Sequence, residues 1–471
     1  MKRFLPLTVL VLVLAPLAGC IGRGPTGAPQ AEKLAAWLED QSYSTWYTFK
    51  RQGDTPERPD SPDGLTLGSP NVFAAVGTNP DDLTSLDVFW ADHRTVRPLM
   101  AKGMTLALRL EGRGAPGKGE PVPLADFPEQ TLRRIRNTSI AVSESTLDDI
   151  TVTCVTFAPM GPDDNFLARW FLFENTGKAK RRASLVLRAT APDDWSRLDA
   201  STWKRGDSFA VVADAKLRAG GDELEVHIGS LPPGRTGAAA LLLVGSTDKD
   251  ALTADISRAQ AVLPDLLPLL DATRDEWEQW CARTPLTTGD KRTDDLLDSL
   301  LCLVRAHIGP EAIHTGSVRY PHNRAYVRDS YWVQRALLEV GRFDEARLNL
   351  DFFHRAWQTA GIASYYEIPA DRGHGYGYSG VELPHYLVLM VRDAERMGGI
   401  DALGYWDMVQ GCLDQAAVPP NGLQPMNGDE TWLLAAPVRE LDDLLDNSWL
   451  LIASADYGAE LASRAGDAAR A

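Results

Sequence analysis

The C-terminal part of the chain contains six segments with the 3.6-residue apolar period of amphipathic helices, and the loops between them alternate in length. The predicted helices cover residues 296–308, 330–340, 344–360, 384–397, 402–417 and 441–464. About three residues join the second helix to the third and about four join the fourth to the fifth, whereas the other loops are much longer. Because every second loop of an antiparallel helix stack lies at the same end, the three long loops are predicted to share one face.

The long loops contain most of the residues with a candidate role in binding or chemistry. In chain order these are Tyr320, His322, Tyr326, Arg328, Asp329 and the adjacent Trp332, then Tyr366, Glu367, His374 and Tyr376, and finally Asp429, Glu430 and Trp432. An aromatic ring can cover the apolar face of a sugar, while a guanidinium and a carboxylate hold its vicinal hydroxyls. The loops therefore predict a carbohydrate site. A plainer interpretation makes Asp329 a helix N-cap and the two histidines ordinary polar loop residues.

Residues 37–265 show the apolar alternation and the continuous apolar runs of β-strands. The clearest runs are 72–76, 86–90, 105–110, 150–157, 167–173, 183–187, 209–212, 224–228 and 238–244. Turn-rich segments separate them, so we expect an antiparallel β-sandwich of two broad sheets. No catalytic residue is visible in this domain, and the glycines within 68–81 are interpreted as turn residues. A linker helix over 266–289 then leads into a helical domain over 290–471.

The first 19 residues have the pattern of an export signal. Lys2 and Arg3 precede an apolar run over 4–17 that is too short to span a bilayer. The run ends on LAGC at 17–20, which resembles the bacterial lipobox, where the cysteine, here Cys20, receives the lipid. With residues 20–36 as a tether, we expect a lipid-anchored protein of the cell envelope, on the outer membrane or the periplasmic side of a bacterial membrane. The alternative is an ordinary secretory signal.

Charge and cysteine spacing exclude several classes of partner. The formal net charge is −16 and no basic tract offsets it, so nucleic acid is not an expected partner. Beyond Cys20 the four cysteines are widely spaced, with no CxxC pair, and the sequence leaves open whether they form disulfides or buried free thiols. No histidine has the ligand spacing to an acidic residue that a metal site requires, so we expect neither a catalytic metal nor a cofactor.

The order of sandwich, linker helix and helical hairpins, with YPHNRAYVRDSYW in the first long loop, resembles the bacterial glucoamylase-like six-hairpin glycosidases. The resemblance implies an N-terminal super-sandwich followed by an α/α-hairpin toroid of the (α/α)6 type. It also implies that Arg328 and Asp329 grip the terminal sugar, that Glu430 is the general acid, and that the partner is an oligosaccharide or polysaccharide. Asp429 and Glu367 are reserve acids. A simpler role for Glu430 is to stabilise a helix dipole from the first turn.

The expected function is an inverting, exo-acting glycoside hydrolase on α-glucans or related oligosaccharides. A complete ring has twelve helices and about six are predicted here, so the catalytic base of the family falls outside this chain. A fragment of a longer protein, or a second chain that completes the barrel, would explain this. In a half ring, Leu300, Leu444, Trp449 and Leu451 are expected to expose apolar surface that promotes aggregation or dimerisation, without glucan hydrolysis. The alternatives are a non-catalytic glycan-binding lipoprotein and a related carbohydrate phosphorylase.

The lipobox generates a direct test. Because acylation requires the Cys20 sulfur, Cys20→Ser is expected to release the exported protein from the membrane fraction into the periplasm or the medium. Detergent phase partitioning with metabolic fatty-acid labelling measures this, with Cys412→Ser as control. Unchanged membrane partitioning of the Cys20→Ser protein would contradict the prediction.

Overall fold

The computed structural model describes most of the chain. The described residues are 28–52, 55–57, 64–78, 82–91, 100–111, 119–189, 195–220, 223–247, 249–284, 286–314, 324–370, 375–376, 382–416 and 445–471. Within these ranges no helix is long and apolar enough to cross a membrane. The export signal, residues 20–27 of the expected tether and the third long loop, with Cys20, Asp429, Glu430 and Trp432, lie outside the described residues. Residues 28–36 of the expected tether belong instead to a helix, Ala28–Glu39, that packs on the sandwich through Ala31 and Leu34.

The N-terminal domain is an antiparallel β-sandwich, as predicted. Its ten-stranded sheet has, in spatial order, β13 (Trp195–Arg197), β14 (Thr202–Arg205), β15 (Phe209–Ala213), β18 (Thr236–Gly245), β11 (Phe166–Asn175), β10 (Ile150–Phe157), β9 (Ala141–Leu147), β8 (Glu129–Ile135), β1 (Tyr43–Gln52) and β2 (Thr55–Glu57). The eight-stranded sheet has β16 (Leu217–Gly220), β17 (Glu223–Leu231), β12 (Arg181–Ala189), β6 (Met100–Glu111), β5 (Leu86–Ala91), β4 (Val72–Val76) and β3 (Leu65–Gly68), with β7 (Val122–Pro123) on β6. Every predicted strand run falls inside one of these strands.

The ten-stranded sheet is covered on both faces, which explains its continuous apolar runs. Along β11, Phe171 and Phe173 point between the two sheets, whereas Trp170 and Leu172 point to the outer face. There they pack against a layer of helices formed by α1 (Ala28–Glu39), α2 (Lys249–Val262) and α3 (Leu267–Ala282). Helix α3 lies within the segment 266–289 that was predicted as a linker helix. Helix α2, which precedes α3 and is separated from it by Pro264, was not predicted from the sequence.

The helical domain follows the predicted order. Its described helices are α4 (Lys291–Ala306), α5 (Val327–Glu339), α6 (Phe343–Ala360), α7 (Leu383–Gly398), α8 (Trp406–Gln415) and α9 (Leu445–Ala465), with a short 3-10 helix at Ala402–Tyr405. The helical domain differs from the sequence prediction in several respects. The helix expected over 402–417 is split, α5 begins three residues earlier than expected, and this domain contains a three-stranded sheet of β19 (Arg324–Tyr326), β20 (Tyr365–Glu367) and β21 (Gly375–Tyr376). Each strand has two or three residues, which is too short for a periodic pattern to predict.

Helix α4 joins the two domains because it packs over β1 and β3. The buried carboxylate of Asp295 accepts hydrogen bonds from the Ser44 hydroxyl at 3.2 Å, the Thr45 backbone N–H at 2.8 Å and the Thr45 hydroxyl at 2.5 Å. The buried Arg134 guanidinium of β8 donates to the Ser299 carbonyl at 3.1 Å. These contacts satisfy polar groups of the sandwich and of the helix together, so the two domains share one polar interface.

The other side of this interface requires a glycine. A Cβ atom on Gly68, the last residue of β3, would lie 2.0 Å from the Ala306 carbonyl oxygen at the end of α4. Only a residue without a side chain allows backbone to approach this closely. The interpretation of this glycine as a turn residue is therefore wrong, because its place in β3 is a contact between the domains.

The segment after α4 rests on aromatic residues of the sandwich. The ring of Phe73 lies 4.8 Å from that of His307 and 6.3 Å from that of His314, and the Trp90 ring lies 6.4 Å from His314. The Nδ1 atom of His307 donates to the His314 carbonyl at 3.0 Å, since a carbonyl oxygen can only accept. Burial lowers the pKa of His307 to about 4, so the ring is neutral at pH 7.

Two further groups, His385 and Asp214, have pKa values outside their usual range. His385, fully buried between α7 and α9, lies 2.8 Å from the Ser454 hydroxyl, and burial lowers its pKa to about 4. Ser454 donates to the Leu451 carbonyl, so its oxygen accepts from the Nδ1–H of a neutral His385. In the sandwich, Asp214 lines a cavity of about 480 Å³, and burial raises its pKa to about 6.

Two of the residues expected to expose apolar surface do so. Leu300 on α4 is 44% exposed and Trp449 on α9 is 60% exposed, whereas Leu451 is half-buried. Leu444 lies outside the described residues. The consequence for association in solution stays a prediction.

The Asp295 contacts predict a large effect on stability. Asp295→Ala removes the acceptor for three donors, of which the Ser44 hydroxyl is buried, so we expect a loss of roughly 3 kcal/mol in the free energy of unfolding. Asp294→Ala is the matched control on the same helix, since this carboxylate accepts from the exposed Thr288, and its loss should be about 1 kcal/mol. Urea unfolding followed by tryptophan fluorescence compares the two. Equal losses of unfolding free energy in the two variants would contradict the proposed contribution of the Asp295 contacts to stability.

The buried histidines predict acid sensitivity. Between pH 6.5 and about 4, the unfolded chain binds protons at His307 and His385 that the folded chain does not bind, so the free energy of unfolding falls as the pH is lowered. Asp214 acts in the opposite direction, because its raised pKa favours the folded state at low pH, but it is one group against two.

Urea midpoints between pH 7 and pH 4 measure this slope. The His307→Asn and His385→Asn variants keep a side-chain donor near the Nδ1 position but cannot take up a proton, so each should flatten the slope. A double variant with the slope of the unsubstituted protein would contradict the assignment.

Candidate functional site

Helices α5 and α7 run in the same direction. Near their starts, the rings of Tyr331 and Tyr386 lie 5.2 Å apart, and one turn further the Gln334 amide donates to the Met390 carbonyl at 2.8 Å. The residue numbers increase together along both helices, so the two are parallel. Their N-terminal turns therefore lie at the same end of the helical layer.

Helix α9 continues this parallel arrangement. His385 of α7 meets Ser454 of α9 at 2.8 Å, and further along the Tyr457 hydroxyl donates to the Glu395 carboxylate at 2.8 Å. The numbers again increase together. Each of the three helices is entered from one of the long loops, including the loop before α9 that lies outside the described residues. The N-terminal ends of α5, α7 and α9 thus define one mouth, with their partial positive charges turned toward it.

The short sheet fixes two of the loops against each other. In its register Arg324 pairs with Glu367, Tyr326 with Tyr365, and Tyr365 with Tyr376. The prediction that the loops after α4 and α6 share one face is therefore confirmed for the described residues. The place of Glu430 relative to them stays a prediction.

Tyr326, Arg328 and Asp329 lie at the start of α5. Tyr326 is the N-cap residue, and its half-buried ring packs on the Tyr365 ring at 5.1 Å between centroids. Arg328 is half-buried and Asp329 is exposed, both in the first helical turn. The alternative that Asp329 is an N-cap is wrong, because the helix begins at Val327. A carboxylate in this turn is favoured by the helix dipole and remains accessible to a ligand.

The other described candidates are placed differently from one another. The indole of Trp332 is 58% exposed, so its face is accessible to a ligand. Tyr366 is buried and its hydroxyl donates to the Gly361 carbonyl at 2.6 Å, which places it in the helical core. Glu367 is buried at the end of β20. Of Tyr376 the structure describes the backbone, in β21.

Several predicted site residues fall outside the described ranges. They are Tyr320, His322, His374, Asp429, Glu430 and Trp432. The structure thus places Tyr326, Arg328, Asp329 and Trp332 in the first turns of α5 or at its N-cap, and their roles, like that of the proposed general acid, stay predictions.

The sequence reasoning missed a buried acid at this end of the domain. Glu382 is almost fully buried at the N-cap position of α7, with Pro384 in the first turn of that helix. His385, the residue after this proline, is also buried. A proline in the first turn marks a helix start and places the preceding acid at the N-terminal end of the helix. Glu382 could therefore have been found from the sequence.

The described mouth combines aromatic faces, a guanidinium and carboxylates, which suits a polyhydroxylated ligand. Among the described residues no group of three or more His, Cys, Asp or Glu side chains is arranged to hold a metal ion. The arrangement can orient a sugar through hydroxyl groups and ring faces. The chemistry itself would depend on a proton donor such as Glu430.

Comparison with solved structures shows the fold. A bacterial glucoamylase in complex with acarbose superimposes with a TM-score of 0.60 and 12% sequence identity, over 90% of this chain and 68% of that protein. A protein described as a candidate kojibiose phosphorylase from the human microbiome gives a TM-score of 0.59 and 9% identity, over 89% of this chain and 67% of its own. No protein-family model matches the sequence, and no curated protein sequence matches it.

Both likenesses extend through the sandwich and the helical hairpins. At these identities they establish architecture and leave the reaction undetermined. The chain has the fold of the glucoamylase-like six-hairpin glycosidases, an antiparallel β-sandwich followed by helical hairpins of the (α/α)6 type.

Proposed function

We propose that this protein is a glycoside hydrolase that removes sugar units from the end of α-linked glucans or related oligosaccharides. The observation that carries the proposal is the mouth at the N-terminal ends of α5, α7 and α9, where the β19–β20 pairing holds Tyr326 and Tyr365 beside the first turn that contains Arg328 and Asp329. The shared fold with a bacterial glucoamylase that binds acarbose supports a carbohydrate ligand.

Each group in this mouth has a defined task. The Asp329 carboxylate accepts hydrogen bonds from vicinal hydroxyls of the terminal sugar, and the Arg328 guanidinium donates to its ring or hydroxyl oxygens. The exposed indole of Trp332 offers a face for an adjoining sugar unit. Together these contacts fix the terminal residue, which is what an exo-acting enzyme requires.

The chemical step is assigned to Glu430. Its protonated carboxyl gives a proton to the glycosidic oxygen while a second carboxylate, about 6.5–9.5 Å away in inverting enzymes, activates a water molecule. Donation at neutral pH needs a raised pKa, which desolvation by aromatic neighbours such as Trp432 would supply. Export and acylation at Cys20 would place the enzyme on the envelope surface, where polymeric glucans are accessible.

A related phosphorylase is the second candidate, because the likeness to the candidate kojibiose phosphorylase is nearly as close as that to the glucoamylase. In that reaction inorganic phosphate replaces water as the nucleophile. The parallel helix N-termini at the mouth would favour an anion there. The sugar-binding residues would keep the same tasks.

Binding provides the first test. Asp329→Asn is expected to weaken the affinity for acarbose or maltotetraose about 10- to 100-fold, since a hydrogen bond to a charged group contributes roughly 1.5–3 kcal/mol. Asp344→Asn is a matched control, because Asp344 is also exposed in the first turn of a helix, α6, whose start adjoins the end of α5. Both substitutions lose the same dipole interaction, but only Asp329 lies at the mouth. Calorimetric titration measures both, and equal affinities would contradict the proposed site.

Turnover provides the second part of the test. Maltooligosaccharides with and without inorganic phosphate are followed by NMR, and a hydrolase releases β-glucose without phosphate. Glu430→Gln should lower the rate about 100- to 10,000-fold with little change in binding. Glucose phosphate formed only in the presence of phosphate would favour the phosphorylase. Sugar binding without any turnover would favour a glycan-binding lipoprotein.

A further inference from the structure

Two of the buried cysteines face each other at the junction of the domains. The Sγ atoms of Cys281, at the end of α3, and Cys302, in α4, lie 3.5 Å apart. Both side chains are buried, within a cluster that includes Trp277 and Trp280 of α3. The other described cysteines, Cys154 in β10 and Cys412 in α8, are buried free thiols in the sandwich and in the helical core.

The surroundings make one of the two sulfurs the better nucleophile. The hydrogen bond between the two thiols, together with the positive charge of Arg134, lowers the pKa of Cys302, while the same contact raises the pKa of Cys281. The Cys281 thiol also lies 3.6 Å from the Asn137 carbonyl, in the turn between β8 and β9. The pair therefore sits where the sandwich, α3 and α4 meet.

We propose that Cys281 and Cys302 are a disulfide site that fastens the linker helix α3 to the first helix of the helical domain. The sulfurs must approach each other by roughly 1.5 Å, which side-chain rotation with small shifts of the two helices can supply. The bond would close a loop over a sequence separation of 21 residues, which includes the segment between α3 and α4. This inference is independent of the proposed glycosidase activity.

The reaction is a thiol–disulfide exchange with a small disulfide, such as oxidised glutathione, as the oxidant. The Cys302 thiolate attacks one sulfur of the oxidant, forms a mixed disulfide and releases one thiolate. The Cys281 thiolate then attacks the Cys302 sulfur and releases the second thiol. The two cysteines lose two protons and two electrons, and the oxidant becomes two thiols. Because both sulfurs are buried in the folded protein, the exchange proceeds during folding or through local opening.

The test uses the full chain, refolded in a glutathione redox buffer and then alkylated and digested without reductant. Mass spectrometry is expected to find one cross-linked peptide pair, Cys281 with Cys302, lighter by two hydrogen atoms than the reduced peptides. The oxidised protein should unfold on the order of 5 °C above the reduced protein, because the cross-link restricts the unfolded chain. Cys302→Ala and Cys281→Ala should each abolish this difference.

The Cys154→Ala and Cys412→Ala double variant is the matched control, since it removes two other buried thiols and should keep both the cross-link and the shift. Peptide mapping of the unsubstituted protein does not depend on whether a variant folds. The proposal is overturned if Cys281 and Cys302 are both alkylated after refolding. It is also overturned if the refolded protein contains the same distribution of cross-linked cysteine pairs as the chain oxidised in denaturant. An unfolding temperature that oxidation leaves unchanged would overturn it as well.

Discussion

The packing of α4 over β1 and β3 is the constraint on which the rest of the structure depends. The Asp295 carboxylate gathers donors from β1, and Gly68 lets the end of α4 meet the backbone of β3. The same carboxylate satisfies the Thr45 backbone N–H of β1. These contacts also fix where the chain leaves α4, so the sandwich determines where the first long loop begins.

The position at which the chain leaves α4 in turn determines where the candidate site lies. The segment after α4 lies on Phe73 and Trp90 of the sandwich, where His307 is neutral at pH 7 and His314 is buried. From there the chain reaches β19, which pairs with β20 from the next long loop. The sandwich is therefore a support for the mouth, although none of its described residues is assigned to the chemistry. His307, which follows α4 and packs on Phe73 of the sandwich, links the stability of the domain contact to pH, because burial lowers its pKa to about 4.

The mouth itself was predictable in part, and particular residues show why. Tyr326, Arg328 and Asp329 stand out because a loop-to-helix junction rich in aromatic and charged groups has few purely structural explanations. The same reasoning predicts a site role for Tyr366, yet its hydroxyl donates a hydrogen bond to the Gly361 carbonyl in the core. Its residue type and loop position resemble those of Tyr326, so only packing separates the two. Glu382 was overlooked because a single acid before a helix is common, and its burial is a tertiary property.

The sequence by itself determined the class of fold of each half of the chain and the common end at which the loops after α4 and α6 lie. Apolar period and loop length are local quantities that follow directly from the geometry of strands and helices. The tertiary structure alone decided the contact of Gly68 with α4, the short sheet between the loops, the burial of Glu382 and the meeting of Cys281 with Cys302. Each of these joins residues from different elements, and such contacts are set by how faces pack, which no local pattern contains.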